Sequence, residues 1–222
     1  MKIEPLGENT VIVTFCDAIP DELNSKAIAL CEALDRTPFS GYIESAPAYT
    51  SAAVYFDCSV VRTAYPTAGS AFQAVSDIVR KISAGIADTP THQGRNMEIG
   101  LFCGDEYSPD LEAASAIVGL DAASFIEIFV GRTYRVNMLG FLPGFAYMSE
   151  VDELIAVPRR LNPRTNVRRG SVGIAGHQTG IYPLDSPGGW QIIGWTDSVM
   201  FDPMREEPCR LRPGDKVRFV LR

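Results

Sequence analysis

The chemistry-bearing residues of this chain gather between Pro158 and Trp195. In Pro158-Arg159-Arg160-Leu161-Asn162-Pro163-Arg164, two prolines stiffen the backbone around three guanidinium groups, each a planar fork of donors suited to a carboxylate or phosphate. Arg168 and Arg169 extend this into an acid-free basic stretch within a chain of formal net charge −7. Anion binding is its natural chemistry. The competing reading is a solvated loop, or arginines paired with acids such as Asp152, Glu153 and Asp185. In residues 170–195, glycines at 170, 173, 176, 180, 188, 189 and 194 let the backbone turn sharply or lie close to another group. Between them stand Gln178, Thr179, Tyr182, Asp185 and Ser186, all able to hydrogen-bond a ligand. Such a segment either frames a pocket or is a glycine-rich hairpin whose polar groups cap its own turns.

A third motif, Gly140-Phe141-Leu142-Pro143-Gly144-Phe145-Ala146-Tyr147, places aromatics on a turn that presents ring faces or plugs the end of a barrel. There is no phosphate-loop motif, no dinucleotide fingerprint and no Gly-x-Ser-x-Gly elbow. No His, Asp or Glu cluster has metal spacing, so no metal site is expected. Cys16, Cys31, Cys58, Cys103 and Cys209 are scattered and odd in number, against a disulfide framework or a zinc site. Cys103 has no histidine near it in sequence, which argues against a thiol enzyme. The acidic balance disfavours nucleic acid as a partner. No apolar run approaches the ~20 residues that cross a bilayer, and the first residues lack the features of a secretory signal. A cytoplasmic chain without membrane partners is the expectation.

The elements that must position these residues follow from periodicity. Residues 8–15 read as a strand, and Pro20-Asp21-Glu22 opens a helix with the apolar stripe Leu23, Ala27, Leu30 and Leu34. Residues 42–45 and 51–56 read as short strands on either side of Ala46-Pro47-Ala48. Phe72, Val75, Val79, Ile82 and Ile86 mark a second helix, which makes an α+β module of the N-terminal part. The polar break at 87–96 is the expected linker, dividing the chain into domains 1–90 and 95–222. Beyond it come a strand at 97–103, a helix capped by Ser108 and ended by Gly119, and a helix from Asp121 to Gly131 with Phe125, Ile128 and Phe129 on its apolar face. Short strands separated by Gly and Pro then run to residue 221, which predicts a closed barrel.

The three motifs, above all Gln178-Thr179-Gly180-Ile181-Tyr182-Pro183 with Ser186-Pro187-Gly188-Gly189-Trp190, resemble the family of the B-type subunit of 5-oxoprolinase. That family also includes the Kip kinase inhibitor and the first subunit of allophanate hydrolase. The similarity extends to Pro5-Leu6-Gly7, Pro47-Ala48-Tyr49-Thr50-Ser51, Phe201-Asp202-Pro203 and Pro213-Gly214-Asp215. It implies an α+β N-terminal domain followed by a mainly-β, cyclophilin-like barrel. It also implies a subunit of a hetero-oligomeric hydrolase that opens 5-oxo-L-proline with ATP and magnesium, without a tightly bound cofactor. Such a subunit is active only with a second cyclophilin-like subunit and a lactam-utilisation subunit. On this resemblance Arg159, Arg160, Arg164 and Gln178 are the catalytic candidates, with Phe145, Tyr147, Thr179, Tyr182, Ser186 and Trp190 against the substrate. The alternatives are a Kip-type inhibitor that binds a sensor histidine kinase and a carboxyltransferase or allophanate hydrolase component. One departure stands out: where the family's helix commonly ends in histidine, this chain has Phe129.

Overall fold

A computed structural model describes residues 1–15, 20–86 and 94–222. It divides into two units, Met1–Gln93 and Gly94–Arg222. Most of the expected linker, residues 87–93, lies outside the described residues, as do Cys16 and His92.

The N-terminal unit runs β1 (Lys2–Pro5), β2 (Thr10–Thr14), α1 (Pro20–Arg36), β3 (Tyr42–Ala48), β4 (Ser51–Phe56), α2 (Cys58–Ala64) and α3 (Ala71–Ile86). Its antiparallel sheet has the order β1-β2-β4-β3. The stripe Leu23, Ala27, Leu30 and Leu34 of α1, with Val75 and Val79 of α3, buries against Val11, Val13, Ala52, Val54 and Phe56 of the sheet. Ala46-Pro47-Ala48 is not a break: β3 runs through it and pairs with β4 as far as Ala48 opposite Ser51, and the turn falls at Tyr49-Thr50. Tyr49 takes a left-handed φ of 49° there. Pro47 is tolerated because β3 is an edge strand that needs no donor on its outer side. The α2 helix gives no periodic signal because it buries only Val61, and it starts where Asp57 accepts from the N–H groups of Ser59 and Val60 at 2.8 and 3.0 Å.

The C-terminal unit comprises β5 (Asn96–Leu101), α4 (Leu111–Val118), α5 (Ala122–Val130), β6 (Thr133–Leu139), β7 (Ala146–Glu150), a 3-10 turn at Glu153–Ile155, β8 (Arg164–Val167), β9 (Ser171–Ala175), β10 (Gln178–Ile181), β11 (Ser186–Gly188), β12 (Gln191–Trp195) and β13 (Lys216–Leu221). Seven strands follow the order β12-β9-β10-β7-β6-β13-β5, and β8 pairs separately with β11. The sheet is antiparallel except between β13 and β5. Its two edges meet: Phe102, just past β5, exchanges backbone hydrogen bonds of 2.8 and 2.9 Å with Trp195 of β12. The sheet is thus a nearly closed barrel, the expected solution to exposed edges. Phe125 and Phe129 of α5 and Ala114 of α4 pack into its core with Ile99, Leu101, Tyr134, Val136 and Phe219. Phe129 is fully buried, its ring centroid 5.1 Å from that of Tyr134 and 5.0 Å from that of Phe219.

The first helix of this unit begins later than its Ser-Pro signal indicated. Its N-cap is Asp110, not Ser108, whose hydroxyl instead bonds both ways with the Gly104 backbone at 2.8 and 3.0 Å. Asp110 makes no side-chain cap. Its carboxylate points elsewhere, with consequences for the arginine loop.

Candidate functional site

Asp110 is the hub of the basic segment. At 2% exposure it accepts from Nη1 of Arg160 at 2.5 Å, from both terminal nitrogens of Arg164 at 2.7 Å, and from the Ile192 backbone N–H at 2.7 Å. One carboxylate therefore ties the arginine loop, the first residue of β8, the start of α4 and the middle of β12 together. Two guanidiniums around one carboxylate leave the trio with one positive charge in excess. Gln191 adds a hydrogen bond from Nε2 to the Pro158 carbonyl at 3.1 Å, and Arg160 N–H donates to the Gly189 carbonyl at 2.8 Å. The acids named from sequence bind elsewhere: Asp152 pairs with Arg132 at 3.4 Å and Asp185 accepts from the Arg169 backbone at 2.7 Å.

Arg159 differs from its neighbours. Its side chain is exposed, and among the described residues no carboxylate pairs with it. Its charge is felt by the phenols of Tyr147 and Tyr182, opposing the upward push that burial gives both hydroxyls.

Those phenols belong to an aromatic cluster. Phe145, Tyr182 and Trp190 are buried together, with Tyr147 partly exposed beside them. Phe145 is central, its ring centroid 4.8 Å from Tyr147, 5.2 Å from Tyr182 and 5.4 Å from Trp190. Phe145 is buried in this cluster, apart from the barrel core, while Phe141 is 63% exposed and leans edge-on against the Phe145 ring at 5.6 Å. Phe141 holds φ at +68°, a conformation costing a non-glycine residue on the order of 1 kcal/mol or more. The Tyr182 hydroxyl fits beneath Gly188, where a Cβ would stand 2.4 Å from it.

Two of the remaining candidates lie deeper. Thr179 is fully buried and donates its hydroxyl to the Gly173 carbonyl at 2.9 Å across the β9–β10 pair. Ser186 is buried on β11, and its hydroxyl oxygen has no hydrogen-bond partner among the described residues. Gln178 opens β10, opposite Ala175 on one side and Glu150 on the other, and is partly exposed. Cys103 donates its thiol to the Ile193 carbonyl at 3.8 Å, and burial pushes its pKa up, away from a reactive thiolate.

Two cavities open around Trp195. One of about 250 Å³ is lined by Arg168, Arg169, Leu184, Asp197, Val199 and Phe201, among others, and one of about 140 Å³ by Tyr107, Arg164, Asn166 and Arg168. Trp195 lines both. The ring of Tyr107 stacks on it at 5.4 Å, and the Arg168 guanidinium carbon stands 4.5 Å from its centroid. Sequence reading placed Arg168 in the basic stretch but gave neither Trp195 nor Tyr107 a role; the Trp195 end of the glycine-rich segment was the available signal. Among the described residues, no group of three or more His, Cys, Asp or Glu is placed to hold a metal ion, and no single helix is long and apolar enough to cross a membrane.

The sequence model of the family described as "Carboxyltransferase domain, subdomain C and D" matches residues 1–211. The chain belongs to this family. Among curated relatives of this carboxyltransferase-domain chain, the B-type subunit of 5-oxoprolinase from Bacillus subtilis is 39% identical over 220 residues, covering 99% of the chain and 92% of the relative. The B-type subunit of 5-oxoprolinase from Escherichia coli O157:H7 is 48% identical over 128 residues, 58% of this chain and 59% of the relative. The crystal structure of TTHA0988 is 33% identical and superposes with a TM-score of 0.80. The match covers 96% of the carboxyltransferase-domain chain and only 40% of TTHA0988.

Proposed function

We propose that this chain is the B-type subunit of a 5-oxoprolinase-type assembly, which opens the lactam of 5-oxo-L-proline to glutamate as ATP becomes ADP and phosphate. Near full-length similarity to a protein named as the B-type subunit of 5-oxoprolinase supports the assembly. The observation that carries the site is Arg159, an exposed guanidinium with no carboxylate partner among the described residues, whose charge is felt by the phenols of Tyr147 and Tyr182.

A lactam amide is a poor electrophile. Transfer of the γ-phosphoryl group to its oxygen activates the ring carbon, and hydrolysis with two waters follows. The first adds to that carbon and the protonated ring nitrogen departs to leave γ-glutamyl phosphate, and the second releases phosphate and glutamate. These steps concentrate negative charge, and preorganised donors lower the barrier by matching it. In this reading Arg159 meets the anion directly. Arg160 and Arg164, braced by Asp110, add the excess positive charge of the clamp. Gln178 orients the amide and Tyr147 forms the near wall, supported from behind by Phe145, Tyr182 and Trp190. None of these is a general base, so the site is completed by the second barrel subunit and the lactam-utilisation subunit, and ATP with magnesium is held in the assembled complex.

The test is reconstitution. The purified chain, combined with those two subunits, ATP, magnesium and 5-oxo-L-proline, is expected to yield glutamate and ADP in equal amounts, with each subunit required. An assembly that turns over equally well without this chain would refute the reading.

A further inference from the structure

We propose that the two cavities flanking Trp195 form a binding site for a small organic carboxylate, with Arg168 as its principal cation. This site shares Arg164 with the clamp described above but uses neither Arg159, Tyr147 nor Gln178.

Three observations carry the assignment. The first is a fixed platform. The Trp195 indole N–H donates to the Arg169 carbonyl at 2.8 Å and Tyr107 stacks on the ring, so the surface exists before any ligand arrives. Gly170 closes against it at φ +84°, where a Cβ would stand 2.2 Å from the Thr196 carbonyl and 2.6 Å from the indole nitrogen. The second is an available cation. Arg168 borders both cavities, and its ion pair with Glu106 spans 3.7 Å between side chains 55% and 73% exposed, a pairing too weak and too solvated to hold the guanidinium. The cation–π contact positions Arg168 without neutralising it.

The third is the match of charge and apolarity in the larger cavity. Arg168 and Arg169 face Asp197 alone, a net positive lining, while Pro183, Leu184, Val199, Met200 and Phe201 supply apolar wall. A carboxylate on a compact hydrocarbon body satisfies both features, whereas inorganic phosphate leaves the wall unused. At about 250 Å³ the cavity falls below the ~300–1,000 Å³ usual for drug-sized ligands, which restricts the occupant to a small molecule.

The two tryptophans, Trp190 and Trp195, provide the readout. In ¹H–¹⁵N spectra of the full chain, titration with cyclopentanecarboxylate is expected to shift the Trp195 indole signal saturably and leave that of buried Trp190 in place. The neutral isostere cyclopentanecarboxamide and inorganic phosphate are expected to bind at least tenfold more weakly. Arg168→Gln is expected to weaken carboxylate binding by roughly tenfold, the scale of a lost charged hydrogen bond. Its unchanged Trp190 signal reports an intact fold. Equal binding of the amide, equal binding of phosphate, an undiminished Arg168→Gln response or a non-saturating shift of both indoles would each overturn the proposal. A negative result leaves the reconstitution experiment untouched, since that assay does not depend on Arg168.

Discussion

Asp110 and Arg164 meet carboxylate to guanidinium through two hydrogen bonds of 2.7 Å, with Asp110 almost wholly shielded from water. This pair converts a helix N-cap into the anchor of the arginine loop. It separates the arginines into two braced by protein and one, Arg159, facing outward.

Asp110→Asn is expected to destabilise the C-terminal unit by about 3 kcal/mol, because removing one member of a buried ion pair strands its partners. The amide oxygen can still accept from the Ile192 N–H, so the loss is attributable to the arginines. Urea denaturation checks this, with Arg159→Ala as a control expected to change stability by less than about 0.5 kcal/mol. Equal midpoints for Asp110→Asn and the parent chain would remove the clamp from the account.

Why this anchor was not legible in the sequence is a matter of distance along the chain. Asp110 lies 50 residues from Arg160, 54 from Arg164 and 82 from Ile192, so no local spacing links them. What could be read was periodic or punctuated: the α1 and α3 stripes, the glycine after α4 and the alternation of short strands with turns. Pro47 misled because a proline looks the same in a turn and on an edge strand, and sheet order, which distinguishes the two, is a tertiary property. Phe145 and Tyr147 lie in one motif and Tyr182 and Trp190 in another, and their packing into one cluster with a buried and an exposed side depends on how β7, β10 and β12 sit in the barrel. Phe129 follows the same logic: packed between Tyr134 and Phe219, it occupies a core position where side-chain proton transfer has no place.

Gly188→Ala is expected to cost roughly 2 kcal/mol, since the added methyl collides with the Tyr182 hydroxyl in a well-packed cluster. Tyr182→Phe removes the closest of the clashing atoms. The double variant should therefore be more stable than the sum of the single effects, a non-additivity measurable by a thermal double-mutant cycle.

Acid stability should depend on Asp215. Burial alone would push its carboxyl up, but the Arg95 guanidinium and the backbone N–H groups of Arg212 and Arg95 outweigh it and hold the carboxyl below its ordinary value. A depressed native pKa contributes stability that is present above the unfolded value of about 3.9 and is lost as pH falls through the native value. Asp215→Asn should thus lower stability by roughly 2 kcal/mol at pH 7 and flatten its decline below about pH 4. Urea midpoints measured from pH 7 to pH 3 supply the comparison, and parallel curves for the two proteins would argue against this pairing.

The division of labour among the arginines makes Arg159 the most direct probe of function. In the reconstituted assembly with saturating ATP and 5-oxo-L-proline, Arg159→Ala is predicted to lower kcat for glutamate formation by about 100-fold, the scale of one lost charge-stabilising donor, without altering thermal stability or subunit assembly. Wild-type turnover by the Arg159→Ala assembly would contradict the account.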